Sequence, residues 1–273
     1  MAIYRLMFSI ISRVRFMLRA ISLVLGLCLA NVLLAEPMTG LQIIEKAKQN
    51  GKGFKDLVHE VKMLLVDESG DSTEREMLMK AMTEAGGDSY SMLIFTAPQR
   101  EKGISLLTVS AQGSSDKQYL YLPSSRRVKR ITSSNKGSSF RGSEFTFEDL
   151  SDQKTGDYRF DLVQEEPCAT QRCYVVDRFP KSDESSYSKT RMWIDTEFYR
   201  LIKAEFYDRD NKLLKTMQTS GYELFEGQYW NPKEVVMANI QTGKSTKMLS
   251  LSLKMNSGLR QSEFTELAMQ NWR

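Results

Sequence analysis

The chain has one histidine and three cysteines in 273 residues, and these scarcities exclude most catalysis by imidazole or by a bound metal. A zinc centre of the usual kind needs three or four His, Cys or acidic ligands, and a Ser-His-Asp triad would have to be built on His59, the single imidazole present. Acid is missing from one region: residues 1–35 carry Arg5, Arg13, Arg15 and Arg19 but no Asp or Glu. Those four arginines account for the whole formal charge of +4, because the other 34 basic residues are balanced by 34 acidic ones. The remainder therefore offers no global field for nucleic acid or for an anionic membrane face.

The basic start is followed by Ala20–Leu34, a 15-residue stretch without charge. It is shorter than the ~20 apolar residues a membrane span requires and contains Asn31, so residues 1–35 read as an export signal cleaved after Ala35 or after Ala30. An uncleaved anchor and a lipid attached at Cys28 are the alternatives; Leu27 stands before Cys28 where lipidation expects a small residue. Removal of the leader leaves Cys168 and Cys173, an even pair in an oxidising compartment, expected to form a disulfide bracing a tight hairpin. A redox pair would need the shorter C-x-x-C spacing.

Apolar residues make up 41% and charged residues 26%, which suits one globular domain over residues 36–273. Thr39 and Gln42 form a capping box for a short helix with Leu41, Ile44 and Ala47 on one face and Gly51 at its end. From Phe54 the period becomes two, with β-rich runs near 54–67, 73–84, 89–96, 104–111, 117–122, 157–165, 172–179, 188–195, 199–208, 212–225, 228–240 and 244–256. A helical turn or two is expected within Ser262–Trp272. So many sequential antiparallel strands must curl or close, because a flat sheet would leave an apolar face and two edges bare. The fold class is mainly β: a curled antiparallel sheet forming a half-open or incomplete barrel with a few short capping helices.

A barrel this wide encloses space instead of filling it. Its candidate apolar lining is Met63, Leu65, Met77, Met79, Met92, Ile94, Met192, Ile194, Phe206, Met217 and Met237, rich in the unbranched, adaptable thioether. The plainer alternative is that these residues simply fill a core. Residues 123–156 read as a long irregular insertion, and long ordered loops usually carry function. Arg126, Arg127, Arg130, Phe140 and Arg141 are its candidate partner contacts. Nucleic acid is not expected there, because no aromatic platform is interleaved with the basic residues.

Lys102-Gly103 before an apolar strand, Gln118-Tyr-Leu-Tyr-Leu-Pro123 with Arg127-Val-Lys-Arg-Ile131, and above all Ser139-Phe-Arg-Gly-Ser-Glu-Phe-Thr-Phe-Glu-Asp-Leu150 resemble motifs of the outer membrane lipoprotein-sorting proteins. These belong to the LolA-like superfamily, and the similarity is to the branch associated with RND-type exporters. The closing stretch Trp193–Phe264 is similar as well; within the Ser139–Leu150 motif Arg141 and Glu144 depart from the pattern, which has an apolar residue and Asp there. The resemblance implies a monomeric periplasmic carrier that binds lipid or lipoprotein acyl chains in an apolar cavity and carries them toward the outer membrane. It brings no catalytic residues, cofactor or metal. An RND-type inner-membrane exporter is the possible partner, and an accessory docking subunit of that exporter is the alternative function.

An enzyme reading rests on Ser186-Tyr-Ser-Lys189 and Ser133-Ser-Asn-Lys136, which lack companion motifs. Glu165-Glu166 and Glu148-Asp149 are sequence neighbours and would point to opposite faces of a strand.

Overall fold

The computed structural model describes residues 37–50, 54–227 and 229–272. The expected leader, Cys28 and both cleavage sites, together with Gly51, lie outside them. Thr39–Arg273 forms one compact unit.

It opens with α1 (Gly40–Asn50). The capping box forms as expected: the Gln42 amide donates to Thr39 Oγ1 at 3.2 Å, and the Thr39 amide donates to Gln42 Oε1 at 2.8 Å. The buried face differs from the expected one, because Ile43 and Ile44 are buried whereas Leu41 is exposed. Gly40 sets that rotation. A Cβ there would stand 2.9 Å from the Leu162 backbone nitrogen, so only glycine lets the first turn lie against the sheet.

The strands are β1 (Asp56–Val66), β2 (Ser72–Thr83), β3 (Ser89–Ala97), β4 (Ser105–Ser110), β5 (Lys117–Leu122), β6 (Arg127–Ile131), β7 (Tyr158–Cys168) and β8 (Gln171–Pro180). They continue with β9 (Lys189–Asp195), β10 (Leu201–Tyr207), β11 (Leu213–Ser220), β12 (Glu223–Phe225), β13 (Tyr229–Asn231), β14 (Glu234–Asn239) and β15 (Ser245–Met255), and α2 (Glu266–Asn271) follows. Thirteen make one antiparallel sheet in the order β6-β5-β4-β3-β2-β1-β15-β14-β11-β10-β9-β8-β7. The sheet stays open, with β6 and β7 as its edges.

Three differences from the sequence expectation have local causes. The run 212–225 splits at Gly221, whose φ of 64° suits glycine and interrupts the strand. The run 228–240 splits at Pro232, which has no N–H to donate. The released pieces, β12 and β13, pair with each other as a separate hairpin. Finally, Arg127–Ile131 is a strand within the segment expected to be irregular. Its charged sequence suits a sheet edge, where unpaired backbone is protected by basic side chains.

Curvature follows from the connection between β6 and β7. Part of it folds into a small hairpin held by the Ser139–Thr146 bridge and by the Phe140 amide donating to the Phe145 carbonyl at 2.7 Å. Phe140 stacks on Phe95 of β3 at 5.7 Å, while nearby Asp149 meets Lys215 of β11 at 2.6 Å. Five strand spacings separate β3 from β11 in the sheet order, which would exceed about 20 Å if the sheet were flat. The sheet therefore wraps around this hairpin. Its inner face holds Val61, Met63, Met77, Leu93, Phe95 and Leu106 against Phe140 and Phe147. On the outer face Phe264 and Met269 of the C-terminal segment cover Tyr90, Met92, Ile94 and Leu107.

Candidate functional site

Two apolar cavities remain on the inner face. The first, about 310 Å³, lies over β1–β4 and β14–β15 and is lined by Leu57, His59, Val61, Met79, Leu93, Leu106, Leu150, Val235 and Met248. Tyr229, Asn231 and Pro232 complete its wall. The second, about 290 Å³, lies under α1 and is lined by Ile44, Ala47, Phe160, Met192, Ile194, Phe198, Leu201, Trp230 and Pro232. Pro232 belongs to both walls, so the β12–β13 hairpin and the residues after it stand where the two cavities meet. Each sits near the lower end of the roughly 300–1,000 Å³ typical of small-molecule sites.

Polar groups are few and specific. In the first cavity His59 Nε2 lies 2.9 Å from Ser250 Oγ, and burial lowers the imidazole pKa below its ordinary value. In the second, Arg200 is stacked among Phe198, Tyr222 and Trp230 and bound to the fully buried Asp195 at 2.8 Å. Burial also pushes the Tyr222 hydroxyl up to about 12. Arg178 joins that wall from β8, donating to Gln153 Oε1 at 3.0 Å and to Thr190 Oγ1 at 3.2 Å.

The β6–β7 connection is pinned to the sheet by a buried polar cluster. Lys215 Nζ, 2% exposed, donates to Asp149 Oδ2 at 2.6 Å and to the Glu144 carbonyl at 2.9 Å. Asp149 also accepts from the Tyr187 hydroxyl at 2.9 Å and from the Thr146 amide at 2.8 Å. Burial beside that carboxylate raises the Tyr187 pKa far above its ordinary value. At the other end, Glu101 pairs with Arg141 at 2.9 Å and Arg75 at 3.5 Å, while Arg75 donates to the Arg141 carbonyl at 2.6 Å.

The candidate lining residues divide by place. Met79 borders the first cavity, and Met192 and Ile194 border the second. Met63 and Met77 are buried in the cluster under Phe140 and Phe147, with Leu65 packed against it. Met217 stands opposite Met237 in the β11–β14 pair, and Phe206 lies opposite Lys215. Ile94 requires correction, since it packs in the outer-face cluster with Phe264 and Met269 and lines neither cavity; Met92 packs in that cluster and also borders the first cavity. Strand β3 is buried on both faces, so the apolar pattern gives no clue to its parity.

Among the candidate contacts, Arg126, Arg127 and Arg130 are exposed at or beside the β6 edge. Phe140 is 0% exposed between Phe95 and Phe147 and has no surface to offer a partner. Arg141 is held by Glu101. Cys168 and Cys173 form the expected disulfide across the β7–β8 turn.

Sequence reasoning missed Arg178, Arg200, Lys215 and Trp230. Strand parity carries a signal for Lys215, which alternates with the inward-facing Met217, and for Arg178, which alternates with Val176. Nothing comparable marks Trp230, because its position depends on the break at Pro232. In the match from Ser186 to Lys189, Lys189 Nζ lies 3.6 Å from Asp177 and over the Tyr207 ring. Glu148 accepts from Ser185 and Ser186, and Glu166 from Trp193. Among the described residues no group of three or more His, Cys, Asp or Glu is placed to hold a metal, and no helix is long and apolar enough to cross a membrane.

Comparison with solved structures gives a consistent picture. A domain named as a candidate outer membrane lipoprotein-sorting protein from Vibrio parahaemolyticus is 35% identical, with a TM-score of 0.82, covering 85% of this chain and 98% of that one. A DUF1329 family protein from Desulfovibrio piger is 25% identical, with a TM-score of 0.80 and coverage of 84% and 97%. A LolA superfamily protein from Nitrosomonas europaea shares the fold at 19% identity, with a TM-score of 0.68 over 85% of this chain and 100% of its own. A family model described as an uncharacterized protein matches residues 87–271. No curated protein matches the chain.

Proposed function

Since this chain belongs to the outer membrane lipoprotein-sorting proteins of LolA-like fold, we propose that it is a periplasmic carrier. It binds lipid or lipoprotein acyl chains on the inner face of its sheet and moves them toward the outer membrane. The observation that carries this reading is the pair of apolar cavities meeting at Pro232. Sheltering a chain there is worth ~0.8 kcal/mol per buried CH₂, so several methylenes in either cavity give useful affinity, and a membrane acceptor can still take the chain back. Binding and release are the whole activity, without bond-making chemistry. The basic, acid-free residues 1–35 support export.

Native mass spectrometry of the mature protein, purified from its own periplasm without detergent, tests this. A lipid adduct that Nile red displaces is expected. Protein that carries no lipid and does not bind the dye overturns the proposal.

A second reading has its own observation. Arg126, Arg127 and Arg130 are exposed together beside an unpaired sheet edge, a surface suited to an acidic partner such as the periplasmic part of an RND-type exporter. Charge reversal at Arg127 and Arg130 is expected to abolish co-purification with the exporter and leave dye binding intact. An unchanged pull-down removes this reading.

A further inference from the structure

Arg178 differs from the other cations of the second cavity in what surrounds its charge. Arg200 is matched by Asp195 at 2.8 Å, and Lys48 lies 4.0 Å from Asp152. Among the described residues the guanidinium of Arg178 meets only neutral groups: the Gln153 side-chain oxygen, the Thr190 hydroxyl and the face of Tyr158 at 4.6 Å. Its Nε is buried without a hydrogen-bond partner among the described residues. Glu148, Asp157 and Asp116 act electrostatically on Tyr158, yet none comes within ion-pair distance of Arg178. A half-buried cation with a spare donor and no counter-ion is costly beside apolar walls.

The guanidinium is also held in place. Gln153 Oε1 accepts both from Arg178 Nη1 and from the Tyr158 hydroxyl, the latter at 2.7 Å, so the guanidinium is held over the Tyr158 ring. From that position it borders a cavity whose apolar wall includes Ile44, Met192, Ile194 and Trp230. An apolar pocket in which, among the described residues, one guanidinium lacks a carboxylate partner matches a molecule with a greasy tail and one oxyanion, because the planar fork binds carboxylate or phosphate oxygens in pairs.

We infer that the cavity under α1 takes an acyl chain ending in a single oxyanion, and that Arg178 receives that oxyanion while the tail lies along Met192 and Ile194. This rests on the carrier reading and narrows it from acyl chains in general to anionic amphiphiles. Gln153 and Thr190 are positioning residues for the guanidinium.

The test is displacement of Nile red, a neutral dye, from the intact mature protein by laurate, dodecyl phosphate and dodecanol, which share one tail. Laurate or dodecyl phosphate is expected to displace the dye at a concentration about tenfold or more below that of dodecanol, the scale of a charge-assisted hydrogen bond. The stronger of the two identifies the oxyanion as carboxylate or phosphate. Arg178→Gln is expected to erase the advantage and leave dodecanol unchanged, whereas Arg178→Lys keeps part of it. Equal potency of all three on the unaltered protein overturns the inference and leaves the carrier reading standing. Equal weakening of laurate and dodecanol by Arg178→Gln assigns Arg178 a structural role and also overturns it. No displacement by any of the three, with no dye bound, overturns both. The comparison on the unaltered protein needs no variant to fold.

Discussion

Lys215 of β11 and Asp149 of the β6–β7 connection face each other at 2.6 Å, with side chains 2% and 7% exposed. Lys215 also lies over the rings of Tyr187 and Phe206, at 5.2 and 5.1 Å. The pair fastens the connection to the inner face, and it does so where neither charge reaches water. Removing one partner leaves the other buried and unmatched.

Lys215→Met is therefore expected to destabilise the protein by about 3–5 kcal/mol, read as a fall in the urea midpoint. Lys215→Met combined with Asp149→Leu is expected to cost less than the two single changes added together, because no orphaned charge remains. Additive losses would show that the two side chains do not act as a pair.

His59 gives a pH dependence of definite sign. Burial lowers its pKa in the folded state below the ordinary 6.5. Above that value the ring is neutral in both states and stability is complete. As pH falls below 6.5 the unfolded chain takes up the proton first, so stability drops progressively until the folded-state pKa is passed. His59→Gln is expected to lose less melting temperature between pH 7.5 and pH 5.5 than the unaltered protein does. An equal loss in both proteins removes His59 as the source.

The disulfide closes a short loop, so the chain-entropy model gives it about 2 kcal/mol. Neither Cys168 nor Cys173 lines either cavity. Replacing both with serine is expected to lower stability by about that amount and leave Nile red affinity unchanged. A large loss of dye binding would mean that the β7–β8 turn shapes the second cavity from a distance.

Much of this architecture is legible in the residues. Val61, Met63 and Leu65 alternate in β1, and Met77 and Met79 alternate in β2, so period two alone assigns their face. Alternation fails for β3, where Leu93 and Phe95 face the inner cluster while Tyr90, Met92 and Ile94 pack under the C-terminal segment. It fails in another way for Phe140-Arg-Gly-Ser-Glu-Phe-Thr-Phe147. That stretch has no helical or strand period, yet Phe140 and Phe147 fill the hollow of the sheet. The cavities are what remains around that filling. Their walls come from α1, seven or more strands and the β12–β13 hairpin, and such long-range coincidences leave no local mark.

Whether the two cavities work as one groove is decided by the residues at their junction. Pro232 lines both; Tyr229 faces the first and Trp230 the second. Beside them, Gly221 and Gly227, at φ of 64° and 72°, bracket the β12 side of the hairpin, so its backbone conformations tolerate few other residues. A long acyl chain exceeds either cavity taken alone, and bridging them requires this junction to give way. Ala81→Trp places an indole in the first cavity and Ala47→Trp places one in the second. If one chain bridges both, each substitution is expected to weaken binding of a long-chain lipid about as much as the pair does. Short-chain laurate is expected to respond to Ala47→Trp alone. Additive losses for the long chain, measured by dye displacement, would show two independent sites.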